Sequence, residues 1–254
     1  MTEQFRTSKT PELQSTRFAQ EAEALREVPA PSALNHNHVK PEEAESIAGM
    51  GWLKSFYETA SESWDRLNKL RTTARPEMTA TAHRLEVNRA FEQASKRVGQ
   101  ARDTAQSRLQ ESAAKYRNDL DMATGLATTG KHDAELRQVL REMPERKRYQ
   151  ALIGAIESGD VDTMRAALTA PALAVGIEAD KLKNLRAAWT RKAAPELVAN
   201  LQRIDKAKRQ LTDGFDAWLT EGDKLAYRKE IEQAQKAAEQ HQQTMAGFQS
   251  EGIA

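Results

Sequence analysis

The side chains best equipped for chemistry in this chain fall in four short stretches. "NHNH" offers His36 and His38, two imidazoles of the kind that bind divalent metals. "PEE" places Glu42 beside Glu43, two carboxylates of the kind that share acid and base work. "REMPERKRY" gathers Arg141, Arg146, Lys147 and Arg148 with Tyr149, and "KAKR" gathers Lys206, Lys208 and Arg209. Cations at that density are what a phosphate backbone or an acidic protein surface requires. Spacing then decides which of these stretches matters.

A His-X-His pair in a polar stretch has no third ligand fixed at helical spacing, and the chain contains no cysteine to supply one, so we read it as a solvated linker. Adjacent carboxylates diverge, whereas acid–base pairs must converge in a pocket. Glu142 and Glu145 interrupt the first basic cluster, and aromatic residues are 6% of the chain, too few for a base-stacking surface. Those cations read first as solvated helix faces and second as candidate partner or phosphate contacts. No nucleophile-elbow, zinc-helix, phosphate-loop or dinucleotide motif is present, so no catalytic residue, metal or cofactor is expected. The absence of cysteine also excludes disulfides and thiol catalysis. Trp52, Trp64, Trp189 and Trp218 lie on apolar stripes and read as core or interface anchors.

The elements that must hold these residues are helices. In 254 residues, 30% are charged and only 12 Gly and 8 Pro interrupt them, a composition that favours long solvated helices. The stretch 11–28 carries one apolar stripe through Leu13, Phe18 or Ala19, Ala22 and Leu25, followed by a proline-rich linker, and reads either as an arm in need of a partner surface or as a disordered segment. From Pro41, apolar residues at three- and four-residue steps predict a helix to about 71, with a kink or a close helix contact at Gly49 and Gly51.

The longest predicted helix spans about 77–122. Its stripe runs Val87, Phe91, Ala94, Val98, Ala101, Ala105, Leu109, Ala113, Tyr116 and Leu120, the pattern of a coiled coil with a four-residue insertion. We read it as an oligomer seam. Shorter helices are predicted at 132–142, 145–158, 160–169 and 178–193, with Asp160 as an N-cap and Met164 and Leu168 buried. A further helix is expected to about Leu219 and a last one from Asp223.

Charge is uneven along this plan. Residues 131–210 carry 16 Lys and Arg against 11 Asp and Glu, while 211–254 carry 4 against 8. Across the chain 38 basic residues meet 37 acidic ones, which points neither to nucleic acid nor to a membrane surface. The most apolar run, 166–177, is too short to span a bilayer, and no signal-peptide pattern opens the chain, so a cytoplasmic protein without a membrane span is expected.

Residues 158–197, "SGDVDTMRAALTAPALAVGIEADKLKNLRAAWTRKAAPEL", join a small-residue loop to a basic helix ending before Pro-Glu. This stretch resembles helical proteins encoded among the virion-structure genes of tailed bacteriophages. The resemblance implies a virion or head/tail-assembly component, located in the host cytoplasm and then in the virion, and implies no catalytic residues. The loop itself reads as a packed corner that presents Leu173 and Val175 to a partner.

The expected fold is therefore all-α: an N-terminal arm and linker at 1–40, a long-helix coiled-coil region at 41–130, a compact multi-helix region at 131–220, and a C-terminal helix and tail at 221–254. The expected function is a non-enzymatic structural or assembly protein, a homo-oligomer that contacts other structural proteins of the same assembly. The alternative is a helical nucleic-acid-associated protein using residues 141–149 and 203–209.

Overall fold

The computed structural model describes residues 27–35, 39, 46–73 and 77–251, with side chains as far as 243. The stretch 11–26, His36, His38, Glu42 and Glu43 lie outside the described residues, and so does the N-terminal arm up to residue 26. Every regular element among the described residues is helical. After a 3-10 turn at Ser32–Leu34 come α1 (Met50–Thr72), α2 (Ala80–Ala123), α3 (Asp133–Glu142), α4 (Glu145–Ser158) and α5 (Val161–Leu168). The one-turn α6 (Ala172–Val175), α7 (Ala179–Ala193), α8 (Pro195–Leu225) and α9 (Arg228–Glu251) complete the order.

Packing does not follow chain order. One compact unit combines the described part of 27–39 with Met50–Gln106 and Arg209–Ala254; the other combines Ser46–Gly49 with Ser107–Lys208. The boundaries therefore differ from the four consecutive regions expected from sequence, and they cut through α2 and α8. The 44 residues of α2 extend about 66 Å at 1.5 Å per residue, longer than a single small core, so each end serves a different one.

In the first unit, α1, the start of α2 and the end of α8 bury an aromatic cluster. Trp64 meets Trp218 edge-on with centroids 5.9 Å apart, and Phe91 stacks on Trp218 at 5.9 Å. Trp218 Nε1 donates to Ser95 Oγ at 3.1 Å, so its polar edge is satisfied. Helix α8 runs unbroken through Gly214 and Gly222, where sequence predicted a break between Leu219 and Asp223. Gly222 is a packing residue: a Cβ there would lie 2.2 Å from the Phe91 ring. The break falls instead at Tyr227, whose φ is +55°.

The end of the 11–28 stretch and the proline-rich linker after it are part of this unit where they are described. The Val28 amide donates to Asn68 Oδ1 at 3.2 Å, and the Val28 carbonyl accepts from Asn68 Nδ2 at 2.5 Å and Trp64 Nε1 at 2.9 Å. Leu34 and Val39 are buried. Asn68 thus holds the Val28 amide and carbonyl at once, because one primary amide offers both a donor and an acceptor.

In the second unit, α3 to α7 close around Leu140, Leu152, Met164, Val175, Leu185 and Trp189. Trp189 Nε1 donates to the Thr124 carbonyl at 3.0 Å, fixing α7 to the turn that ends α2. Asp160 caps α5 as expected, accepting from the Thr163 amide at 3.1 Å and its hydroxyl at 2.6 Å. Gly49, predicted to mark a kink or a close helix contact, takes φ +93°. A Cβ on it would come within 2.9 Å of Ser112 Oγ and 3.2 Å of the Arg108 carbonyl.

Candidate interaction surface

The α2 stripe expected to join chains is largely spent inside one chain. Val87, Phe91, Val98, Ala105, Leu109 and Ala113 are buried, and Ala94, Ala101, Tyr116 and Leu120 are half-buried. Phe91 packs on Trp218 and Gly222, and Leu109 approaches Gly49. The oligomer seam is corrected on this ground: alternating three- and four-residue steps report a buried face, and helices of the same chain bury this one.

The basic clusters are corrected in part. Arg148, offered as a partner or phosphate contact, is 9% exposed. Its Nε donates to the Leu140 carbonyl at 2.6 Å, and Nη2 donates to the Arg141 and Met143 carbonyls at 3.0 and 2.8 Å. Nη1 donates to the Gly176 carbonyl. The guanidinium therefore closes the C-terminus of α3 and the end of α6, where backbone carbonyls have no partner within their own helix and the helix dipole favours a cation. Gly176, at φ +73°, turns its carbonyl into this fork, and a Cβ on it would lie 2.6 Å from Arg148 Nη1.

The same use of cations recurs through the second unit. Lys192 Nζ donates to the Ile156 and Glu157 carbonyls at 2.7 and 2.5 Å, at the end of α4. Arg186 Nη2 donates to the Leu168 carbonyl at 3.4 Å and Arg137 Nη1 to the Ala166 carbonyl at 3.3 Å, both in the last turn of α5. A chain of short helices ends often, and each end leaves carbonyls to satisfy. Four of the 16 Lys and Arg of residues 131–210 answer that need. None of Arg137, Arg186 or Lys192 stood out in sequence, since the helix ends they serve lie 18 to 36 residues away along the chain.

Arg141, Arg146 and Lys147 remain exposed, beside Glu145, which Lys181 binds at 2.8 Å. On α8, Lys206 and Arg209 are exposed and Lys208 is half-buried, 4.0 Å from Asp205. At 100° per residue Lys206 and Lys208 point to opposite sides of the helix, so "KAKR" does not converge on one ligand.

A buried ion pair anchors the loop before α3. Asp133 is 2% exposed; its carboxylate accepts from the Gly130 amide at 2.7 Å and from Arg165 Nε at 3.2 Å. Burial opposes its charge, but the Gly130 amide and the Arg165 guanidinium outweigh that and hold the carboxyl below its ordinary value. A carboxyl whose folded pKa is depressed contributes stability above its unfolded pKa and loses it as pH falls through the folded one. Asp133→Asn is accordingly expected to be destabilising at neutral pH, with the gap to wild type closing on acidification below about pH 4; urea midpoints measured across that range check it.

In the first unit, burial and then Asp213 push the Tyr57 phenol up to about 12, so it stays protonated and donates to the Gln210 carbonyl at 3.2 Å. It is a packing group, not an acid–base one. Three of the four tryptophans are buried as expected, while Trp52 is 46% exposed. Among the described residues no set of three or more His, Cys, Asp or Glu converges as a metal site, and no helix is long and apolar enough to cross a membrane.

What the second unit shows to solvent is an apolar point. Leu173 is 91% exposed, the most exposed large apolar side chain among the described residues. Its neighbour Val175, expected to be presented with it, is fully buried, because α6 makes one turn between Pro171 and Gly176 and aims the two in different directions. Val139 on α3 is 50% exposed and Tyr149 on α4 is 37% exposed. A comparison of the chain with family models, curated proteins and solved structures finds no match.

Proposed function

We propose that this chain is a non-enzymatic structural or assembly protein that acts by helix-to-helix protein contact, as a component of a tailed-phage virion or of its head/tail assembly. The observation that carries the contact reading is Leu173: a leucine almost wholly in water, on a turn fixed by Pro171, by Gly176 and by the Arg148 fork. On this reading the leucine, held on a rigid support, is the anchor for a partner surface. The phage assignment rests on the resemblance of residues 158–197. Burial of Arg148 removes one cation from the 141–149 cluster that a nucleic-acid surface would need, which counts against the alternative.

Self-association on this reading runs through groups that the fold leaves open, Leu173 first, and not through the α2 stripe. Light scattering on a size-exclusion column should give a mass that is a multiple of the 28.4 kDa chain. Leu173→Asp should return it to the single-chain mass with an unchanged helical spectrum. A wild-type protein that stays monomeric at high micromolar concentration defeats the self-association reading, and a peak carrying nucleic acid restores the alternative.

A further inference from the structure

Within the first unit, α1 holds residues 28–34 by their main chain. Trp64 and Asn68 stand one turn apart on the same face of α1 and are buried, 1% and 6% exposed. Both aim polar atoms at one residue: the Val28 amide donates to Asn68 Oδ1, and the Val28 carbonyl accepts from Asn68 Nδ2 and Trp64 Nε1. The Val28 side chain is largely in solvent, so the grip reads backbone and not side chain. A helix cannot present this target, because the N–H and C=O of a residue inside it are already paired along the helix. Only an extended segment leaves both free. Pro31 takes φ −51° and ψ 138°, the polyproline conformation. The Ala33 carbonyl then passes so close to α8 that a Cβ on Gly214 would lie 3.2 Å from it, and Leu34 is buried at 1% exposure.

The hold is local and slight. Of residues 27–35, Leu34 alone is buried. The segment does not close on α8: a cavity of about 570 Å³ has Pro29 and Pro31 on one side and Asp216, Ala217 and Thr220 on the other. A stretch with one buried apolar side chain and few main-chain bonds belongs to the part of a fold that opens without global unfolding. Opening leaves the indole N–H of Trp64 and the amide of Asn68 facing an empty seat, and polar groups set that deep require a partner.

We propose that this seat is a binding site for an extended, proline-containing segment of a protein partner, and that residues 28–34 are the displaceable internal ligand that holds it closed. Prolines favour such a segment, since they preset the extended backbone and lower the entropy lost on docking. The internal ligand sets a threshold, because a tethered segment competes at high effective concentration with any segment from outside. The inference goes beyond self-association and depends on neither Leu173 nor the phage resemblance.

The probe is a fluorescein-labelled peptide with the sequence of residues 27–35, EVPAPSALN, followed by anisotropy against the full-length chain. Leu34→Asp ejects the internal ligand by placing a charge in its buried apolar position. The Leu34→Asp chain is expected to bind the peptide saturably and about tenfold more tightly than wild type, the advantage of removing a tethered competitor. Asn68→Ala added to Leu34→Asp is expected to abolish that gain. The chain has no cysteine, so Ala60→Cys, at a fully buried position of α1, reports the fold: its thiol should label slowly with or without Leu34→Asp. Equal binding by wild type and Leu34→Asp, binding by neither, or a gain indifferent to Asn68→Ala overturns the proposal. Fast labelling at position 60 in the Leu34→Asp chain overturns it as well, since residues 28–34 are then a fixed part of the core.

Discussion

Arg148→Ala is expected to be the most damaging single substitution in the second unit, lowering stability by about 4 kcal/mol. The side chain satisfies the carbonyls of Leu140, Arg141, Met143 and Gly176 at once. A buried acceptor left without a donor costs about 1–3 kcal/mol, and water recovers part of that where the site opens. Arg148→Lys separates charge from geometry: the ammonium keeps the favourable interaction with the end of α3, but as a point donor it cannot span four carbonyls. It is expected to recover less than half of the loss. Urea denaturation gives the magnitude, and hydrogen exchange gives the place, with protection falling in α3, α4 and α6. An alanine variant within about 1 kcal/mol of wild type would mean that the carbonyls find other donors and that the fork is incidental.

The reason Arg148 looked like a ligand contact in sequence explains how far a sequence carries here. Helical periodicity placed α2 to α5 and α7 within a few residues, whereas α1 is assigned from Met50 and not from Pro41, and the one-turn α6 lies in what read as a loop; Asp160, Met164, Leu168, Trp64, Trp189 and Trp218 took the roles their spacing predicted. Periodicity names the buried face of a helix but not what buries it. The α2 stripe was therefore legible as a stripe and misread as a seam. A cation written next to other cations carries no mark of the carbonyls it will reach: Arg148 finds Gly176 28 residues on, and Lys192 finds Ile156 36 residues back. Leu173 and Val175 were indistinguishable as letters, and only the one-turn helix between Pro171 and Gly176 sends one out and the other in.

Phe91→Ala is expected to cost the first unit about 3–5 kcal/mol, the range for removing a buried phenyl ring that its surroundings cannot replace. Phe91 is 1% exposed and stacks on Trp218, which in turn meets Trp64, so the ring joins α2 to the aromatic contacts of α1 and α8. Its partner position argues the same contact from the other side. A methyl group at Gly222 would stand 2.2 Å from one ring atom of Phe91 and 2.9 Å from another, with the ring held in a packed core. Gly222→Ala should gain helix propensity in α8, about 1 kcal/mol, yet emerge destabilised by about 1–3 kcal/mol because overpacking outweighs propensity. Phe91→Leu with Gly222→Ala then decides the matter. The smaller side chain makes room for the methyl, so the double variant should be more stable than the sum of the single changes by about 1 kcal/mol. Strict additivity would mean that Gly222 and Phe91 are not in contact in solution, and that α8 runs straight through Gly222 for some reason other than the ring beside it.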